Sequence, residues 1–365
     1  MRELLSGNAP EALALGGLLI GMAFGWIVQR TNFCTMGSIS DFMSFGDYRR
    51  FRAWILAAAT ALVGTQILGG LGIVELKKSM YLSPNLDWLG SILGGLLFGY
   101  GMVFAGGCAS RNLVRAGGGD LRSGVVLLVM GIFAFMTIGG LLGPLRAELS
   151  SWTSLNLATR KLAATQGLDS LLQGIAGLPA ERAMLFATAA VALLALVYCF
   201  KDRSFRSSPM HIGSGVGVGL CAVAGWALTG LAYDELAAQA SAPISLTFVR
   251  PTGDTIDWLQ RFTAARIPGF GVTSTLGTLV GAFLAARLSG RFQIATFTGV
   301  KDTRRNLFGA ALMGIGGVVA LGCTVGQAVT GVSTLALGSF LTFASIVVGG
   351  VVGIKRMEAI LLEEI

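Results

Sequence analysis

The sequence predicts an all-α polytopic membrane protein: about nine transmembrane helices with an inverted internal repeat and re-entrant half-helices. Three observations carry that expectation: composition, the spacing of apolar runs, and a duplicated Gly-Cys signature. Of 365 residues, 53% are hydrophobic and only 13% are charged, and the mean hydropathy is +0.72. A soluble domain of this length does not carry such values.

Apolar runs fall near residues 12–29, 53–74, 89–105, 123–143, 183–200, 212–232, 269–287, 307–321 and 335–354. Most lie near the lower end of the roughly 17–25 residues that a membrane helix needs. The first has no basic leader and is followed by equivalent spans, so it reads as a retained helix and not as a signal peptide. Glycine occurs 53 times, roughly twice ordinary usage. Gly21 and Gly25, Gly95 and Gly99, and Gly277 and Gly281 each have the spacing that lets two membrane helices approach closely.

Two polar interruptions, 146–181 and 233–268, mix charges with apolar residues at roughly helical spacing, as in Leu155, Leu157, Leu162, Leu168, Leu171 and Leu172. They are too short for a core of their own. Amphipathic helices in the interface are expected there, within a single transport domain over 1–365.

The net charge of +8 comes from short loops and no basic tail, which speaks for membrane topology and against nucleic-acid binding. With nine spans, the loops holding Arg49, Arg50 and Arg52, Arg111 and Arg115, Lys201, Arg203 and Arg206, and Arg291, Lys301, Arg304 and Arg305 share one face with the C-terminus. That face takes roughly 17 of the 27 basic residues, so the positive-inside rule makes it cytoplasmic and puts the N-terminus outside.

A shift of 215 positions lays Gly94, Gly99, Gly101, Val103, Ala105, Gly107, Cys108 and Val114 on Gly309, Gly314, Gly316, Val318, Ala320, Gly322, Cys323 and Val329. A shift of 200 lays Gly17, Gly25 and Trp26 on Gly217, Gly225 and Trp226. On the nine-span count the Cys108 loop is cytoplasmic and the Cys323 loop is outside, so the halves, about 12–145 and 183–355, are expected to be inverted copies. Inverted repeats commonly place a substrate path at the midplane. The stretches Leu89 to Gly106 and Asn306 to Leu321 reach only roughly 24–27 Å as helix, short of about 30 Å of hydrocarbon. Re-entrant returns are expected after each cysteine, with N–H groups open to an anion.

Cysteines stand at 34, 108, 199, 221 and 323, with no CxxC pair. That spacing argues against a dithiol oxidoreductase and a zinc site, and neither metal nor cofactor is expected. Cys199 and Cys221 lie in apolar surroundings and read as packing residues. Cys34, Cys108 and Cys323 each stand at a helix break beside polar or glycine residues, and are expected along a substrate path. Gly107 and Gly322 precede two of them. Arg111 and Arg115 either concentrate an anion or anchor the cytoplasmic face. Asn112 and Gln327, each four residues after a motif cysteine, either line the path or cap the break. His211 is given no role.

The motifs TNFCTMGSISD, AGGCASRNLVR and LGCTVGQAVTG, in that order on about nine spans, resemble the YeeE/YedE sulphur-transport family of inner-membrane proteins. The resemblance covers essentially the whole chain. It implies thiosulfate uptake with three cysteines along a central path, a role that falls on Cys34, Cys108 and Cys323. It leaves a selenium compound or another sulfur species as alternative cargo. It also implies a small cytoplasmic TusA-like sulfur carrier, for which the basic loops and the C-terminal KRMEAILLEEI are the expected docking places.

Thiosulfate is a dianion with hard oxygens and one soft sulfur. The oxygens suit backbone N–H groups and arginine, and the polarizable thiol suits the sulfur. Weak, repeated sites pass an ion onward, so neutral thiols make sense as a relay. A membrane sulfurtransferase working through a Cys persulfide is the rival use of the same residues. A redox enzyme would carry a close cysteine pair or a haem or quinone signature, and a neutral-solute channel of half-helix design would carry twin Asn-Pro-Ala motifs. The sequence has none of these, nor a nucleotide-binding loop, and the chain is read as a transporter, not an enzyme.

Overall fold

The computed structural model describes residues 9–160, 162–233, 242–264 and 266–363. The N-terminal eight residues, residue 161 of the first polar interruption, residues 234–241 and 265 of the second, and the last two residues of KRMEAILLEEI lie outside the described residues. The chain begins with α1 (Ala9–Thr31), α2 (Thr35–Phe45), α3 (Arg49–Gly70), α4 (Trp88–Phe104), α5 (Ala109–Gly117) and α6 (Leu121–Ile138). A connecting region holds α7 (Gly143–Thr153), α8 (Leu168–Ala176), α9 (Ala180–Phe200) and the one-turn α10 (Arg203–Arg206). The remainder is α11 (Pro209–Leu231), α12 (Val249–Gln260), α13 (Phe270–Leu288), α14 (Val300–Val319), a π-helical segment Gly326–Gly331, and α15 (Leu337–Glu363).

Every expected apolar run coincides with a long helix. Among the described residues, eight are long and apolar enough to cross a membrane, and the chain is an all-α multi-pass membrane protein. The ninth expected span, 307–321, falls on α14, which misses that standard because its first turns carry Lys301, Asp302, Arg304 and Arg305. The polar interruptions differ from plain interfacial helices. Within 146–181, Ser154–Asn156 (β2) pairs antiparallel with Asn85–Asp87 (β1), a pairing that helical spacing hid. Within 233–268, α12 buries Val249, Pro251, Thr252 and Gly253 and packs on α6 and α13.

The helices on either side of the connecting region follow one order: long, short, long, long, short, long. Their packing follows one scheme as well. α1 lies on α13 as α11 lies on α3, α4 on α15 as α14 on α6, and α2 on α3 as α12 on α13. α5 meets α6 and α13, while the π segment meets α15 and α3.

Bare backbone makes these crossings. Cβ atoms on Gly21 and Gly25 would strike the carbonyls of Ser274 and Thr278, and those on Gly277 and Gly281 the carbonyls of Leu18 and Met22. Gly95 and Gly99 meet Thr342 and Ile346 of α15 in the same way. All six glycines of the close-approach spacing therefore serve packing, in a medium where van der Waals contact drives helix association. At the α4–α14 crossing the contacts are reciprocal. A Cβ on Gly101 would stand 2.8 Å from the Gly309 carbonyl oxygen, and one on Gly309 would stand 2.5 Å from that of Gly101. Gly94 and Gly316 repeat the relation, at 2.8 and 2.7 Å. The 215-residue shift carries Gly94 onto Gly309 and Gly101 onto Gly316, and so exchanges the two pairs. The 200-residue shift finds no such match in surroundings, since Trp26 is partly exposed beside Arg30 whereas Trp226 is fully buried and donates to Ser333 Oγ.

The basic loops meet at one end. Arg52 pairs with Asp202 at 3.0 Å, and Arg122 lies 3.9 Å from Asp302. One cavity there, of about 400 Å³, is lined by Gln29, Asn32, Arg111, Arg115, Asp120 and Arg291, among others.

Candidate substrate path

Each of the three motif cysteines sits just before a short helix that begins in the interior. Cys34 caps α2, its Sγ accepting from Gly37 N–H at 3.4 Å. Cys108 stands before α5, with Sγ 3.3 Å from Ser110 Oγ. Cys323 precedes the helical turn that leads into the π segment, and its Sγ accepts from Gly326 N–H at 3.4 Å. A helix N-terminus offers free N–H groups and the positive end of the helix dipole. Each thiol thus stands at a helix end of the kind that favours an anion.

Cys108 is an electrostatic neighbour of both Cys34 and Cys323. Arg111 and Arg50 stand near Cys34, whereas Tyr81 stands near Cys323. Cys108 and Cys323 are fully buried and Cys34 nearly so, and all three are free thiols. Cys199 and Cys221 lie apart: Cys199 donates to the Arg52 carbonyl at 3.3 Å, and Cys221 is buried within α11.

The breaks before Cys108 and Cys323 are built alike. Gly107 N–H donates to the Met102 carbonyl at 2.8 Å and Gly106 N–H to that of Val103; Gly322 N–H donates to Gly317 at 2.7 Å and Leu321 N–H to Val318. This is the bonding of a helix closed by a left-handed residue. Gly106 supplies that residue in one break with φ of 70°, and Leu321 in the other with φ of 57°. The break before Cys34 likewise turns on a left-handed residue, Asn32, with φ of 53°. Asparagine tolerates that region better than leucine.

Asn112 and Gln327 brace these turns. Asn112 Nδ2 donates to the Gly107 carbonyl at 2.7 Å and to that of Cys108 at 3.3 Å. Gln327 Nε2 donates to the Ala320 carbonyl at 2.5 Å. In both, the amide oxygen is buried and without a partner among the described residues. The bare sides of Gly107 and Gly322 face the side chains of Arg111 and Gln327, at 3.0 and 3.3 Å from an added Cβ.

The two arginines differ. Arg115 Nη1 donates to the Gly106 carbonyl at 2.7 Å while its Nε and Nη2 bind Asp120. Partial burial pushes the Asp120 carboxyl up, but hydrogen bonds from Arg122 and the charge of Arg115 outweigh it and hold Asp120 below its ordinary value. Arg111 Nη2 donates to Asn32 Oδ1 at 3.1 Å, and its Nη1 is buried without a partner among the described residues. Both arginines line the 400 Å³ cavity. Sequence reasoning missed Asn32, Tyr81 and Thr247, whose Oγ1 lies 3.9 Å from Cys323 Sγ. Asn32 stood inside a motif and was legible as a left-handed turn residue, whereas the other two carry no local signal.

A family model described as Sulphur transport matches residues 30–352. The chain is 26% identical over 334 residues to the thiosulfate transporter TsuA of Spirochaeta thermophila, covering 91% of this chain and 96% of that one. It is 26% identical over 331 residues to TsuA of Escherichia coli K12, covering 87% and 86%. A shorter likeness, 32% over 105 residues, joins it to the probable transporter YedE of E. coli, covering 29% of this chain and 24% of that one.

Proposed function

We propose, for a chain that belongs to the sulphur-transport family, that it carries thiosulfate or a closely related small sulfur-containing anion through a path lined by the thiols of Cys34, Cys108 and Cys323. One observation carries the reading: three buried thiols, each at the start of a short interior helix, with Cys108 beside both others. Each stage offers a soft S–H to the terminal sulfur and N–H groups to the oxygens. No stage holds the ion tightly, which conduction requires. The names of the TsuA relatives support thiosulfate as the cargo.

The path runs between inverted halves, with Arg111 at the end that faces the cytoplasm. The basic face is cytoplasmic, the N-terminus is outside, the C-terminus is inside, and the membrane is the inner membrane. Arg111 is the residue that draws the anion out of the thiol series. Arg115, Asn112 and Gln327 hold the breaks in shape, while Gly107 makes room for Arg111 and Gly322 for Gln327. A small TusA-like carrier is the receiver on the basic face.

The test is growth on thiosulfate as sole sulfur source of a cell lacking other sulfur uptake, with and without this protein. Growth that depends on the protein is expected. Equal growth in both cells refutes the reading, and uptake of a selenium compound in preference to thiosulfate would replace the cargo.

A further inference from the structure

On the side of the cysteines away from Arg111 lies a group of side chains that the transport reading leaves unused. Tyr81 is 3% exposed, and its hydroxyl is buried without a hydrogen-bond partner among the described residues. A buried unpartnered phenol costs free energy, and native structures rarely keep one without a use. Its ring is fixed, because it meets Trp226 edge-on with centroids 6.4 Å apart, and Trp226 Nε1 donates to Ser333 Oγ at 3.0 Å. The place of the hydroxyl is therefore set by packing.

That hydroxyl converges with a second one. A Cβ added to Gly326 would stand 3.5 Å from Tyr81 Oη and 2.6 Å from Thr247 Oγ1. Both hydroxyls thus face the same bare backbone, whose N–H donates to Cys323 Sγ. Thr247 Oγ1 itself lies 3.9 Å from that sulfur. The packing scheme gives Thr247 further meaning. Cys34 is the N-cap of α2, and Thr247 stands one residue before Phe248, the N-cap of α12, the helix that packs in the second set as α2 does in the first. A threonine hydroxyl thus lies beside Cys323 near the position from which a thiol approaches Cys108.

We infer that Tyr81 and Thr247 form a hydroxyl station at Cys323 that binds the oxygen end of the transported anion while the thiol meets its sulfur. The inference rests on the transport reading. O–H donors match hard oxygens, and S–H matches soft sulfur, so the station orients an ion with two unlike ends. The donors are neutral, and a dianion leaves neutral donors more readily than it leaves a guanidinium. Arg111 offers the charged site at the other end, so the ion passes from neutral donors toward a cation.

The experiment uses the full-length protein in proteoliposomes and labelled thiosulfate, with initial rates over a range of concentrations. Tyr81→Phe and Thr247→Val should each raise KM by about tenfold, the effect of one hydrogen bond to a charged group. Thr247→Ser, which keeps the hydroxyl, should stay near wild type. Tyr81→Phe should unfold in detergent at no lower temperature than wild type, since the hydroxyl it loses has no partner among the described residues. Wild-type KM in both Tyr81→Phe and Thr247→Val overturns the station and leaves the transport reading standing. Equal defects in Thr247→Ser and Thr247→Val overturn it too, by assigning the effect to packing. A wild-type protein that moves no more thiosulfate than empty vesicles overturns the transport reading and the station with it.

Discussion

Asn112 reaches back five residues to hold the carbonyl of Gly107 at 2.7 Å, across the turn that ends α4 and begins α5. Gln327 does the same for Ala320. The peptide groups freed where a membrane helix stops are thus satisfied by an amide side chain, which hydrocarbon cannot do. Asn112→Ala and Gln327→Ala should each destabilise by roughly 1–3 kcal/mol, because a buried carbonyl loses its donor. Unfolding temperatures in detergent check this, and a variant that melts with wild type shows its brace to be idle.

Leu321 holds a backbone conformation that its counterpart Gly106 adopts without cost. Leu321→Gly should stabilise by about 1 kcal/mol, the penalty of a side chain in the left-handed region less the added freedom of glycine when unfolded. Denaturant midpoints of the two proteins measure it. A loss of stability would mean that the leucine side chain contributes more than its backbone costs.

Cys108→Ala should nearly abolish uptake while leaving protein in the membrane, and Cys34→Ala and Cys323→Ala should impair it. Cys199→Ala and Cys221→Ala should stay close to wild type in transport, because each is buried within a long helix and not at a helix break. Labelled uptake normalised to membrane protein decides it. Equal damage from all five would sink the assignment.

Arg111→Gln should raise KM for thiosulfate with little change in stability, since only its bond to Asn32 is lost. Arg115→Gln should instead destabilise, since it frees the Gly106 carbonyl and Asp120 together. Acid distinguishes them further. Asp120 is held below its ordinary value of 3.8, so its stabilising contribution is complete above that value and is lost as pH falls through the lowered one. The melting temperature of wild type should drop between neutral pH and about pH 3 by more than that of Arg115→Gln. Parallel curves would show that the pair contributes nothing.

Ser207→Cys and Arg304→Cys place reporters on two of the basic loops. Both should escape an impermeant thiol reagent applied to intact cells and react once the membrane is opened. Labelling from outside at either site reverses the orientation.

Much of this architecture was legible because membrane helices are written in composition. The nine apolar runs became nine long helices, and the six close-approach glycines became six backbone contacts, since each signal is local. α14 escaped a clean count because Lys301, Asp302, Arg304 and Arg305 lie within the helix and not before it. The strand pair Asn85–Asp87 with Ser154–Asn156 was hidden because three residues are too few for a period. In the candidate path, the cysteines announced themselves by standing at glycine-rich breaks. Thr247 and Tyr81 did not, because their meaning comes from Cys323, far off in the chain.

The glycine crossings also limit how the molecule can move. α1 rests on α13 and α3 on α11, so each half clasps the other as interlaced fingers do. Where Gly21, Gly25, Gly277 and Gly281 bring main chain against main chain, turning one half against the other would drive peptide planes into collision. A machine that tips between two open states needs a fulcrum and clear travel, and among the described residues this clasp provides neither. On the proposed transport reading, what moves is then small: a side chain such as Arg111, or a shift of one short helix. Side-chain steps take nanoseconds where domain swings take microseconds to milliseconds, so such a protein would show the kinetics of a gated pore, with traffic limited by queueing at its sites.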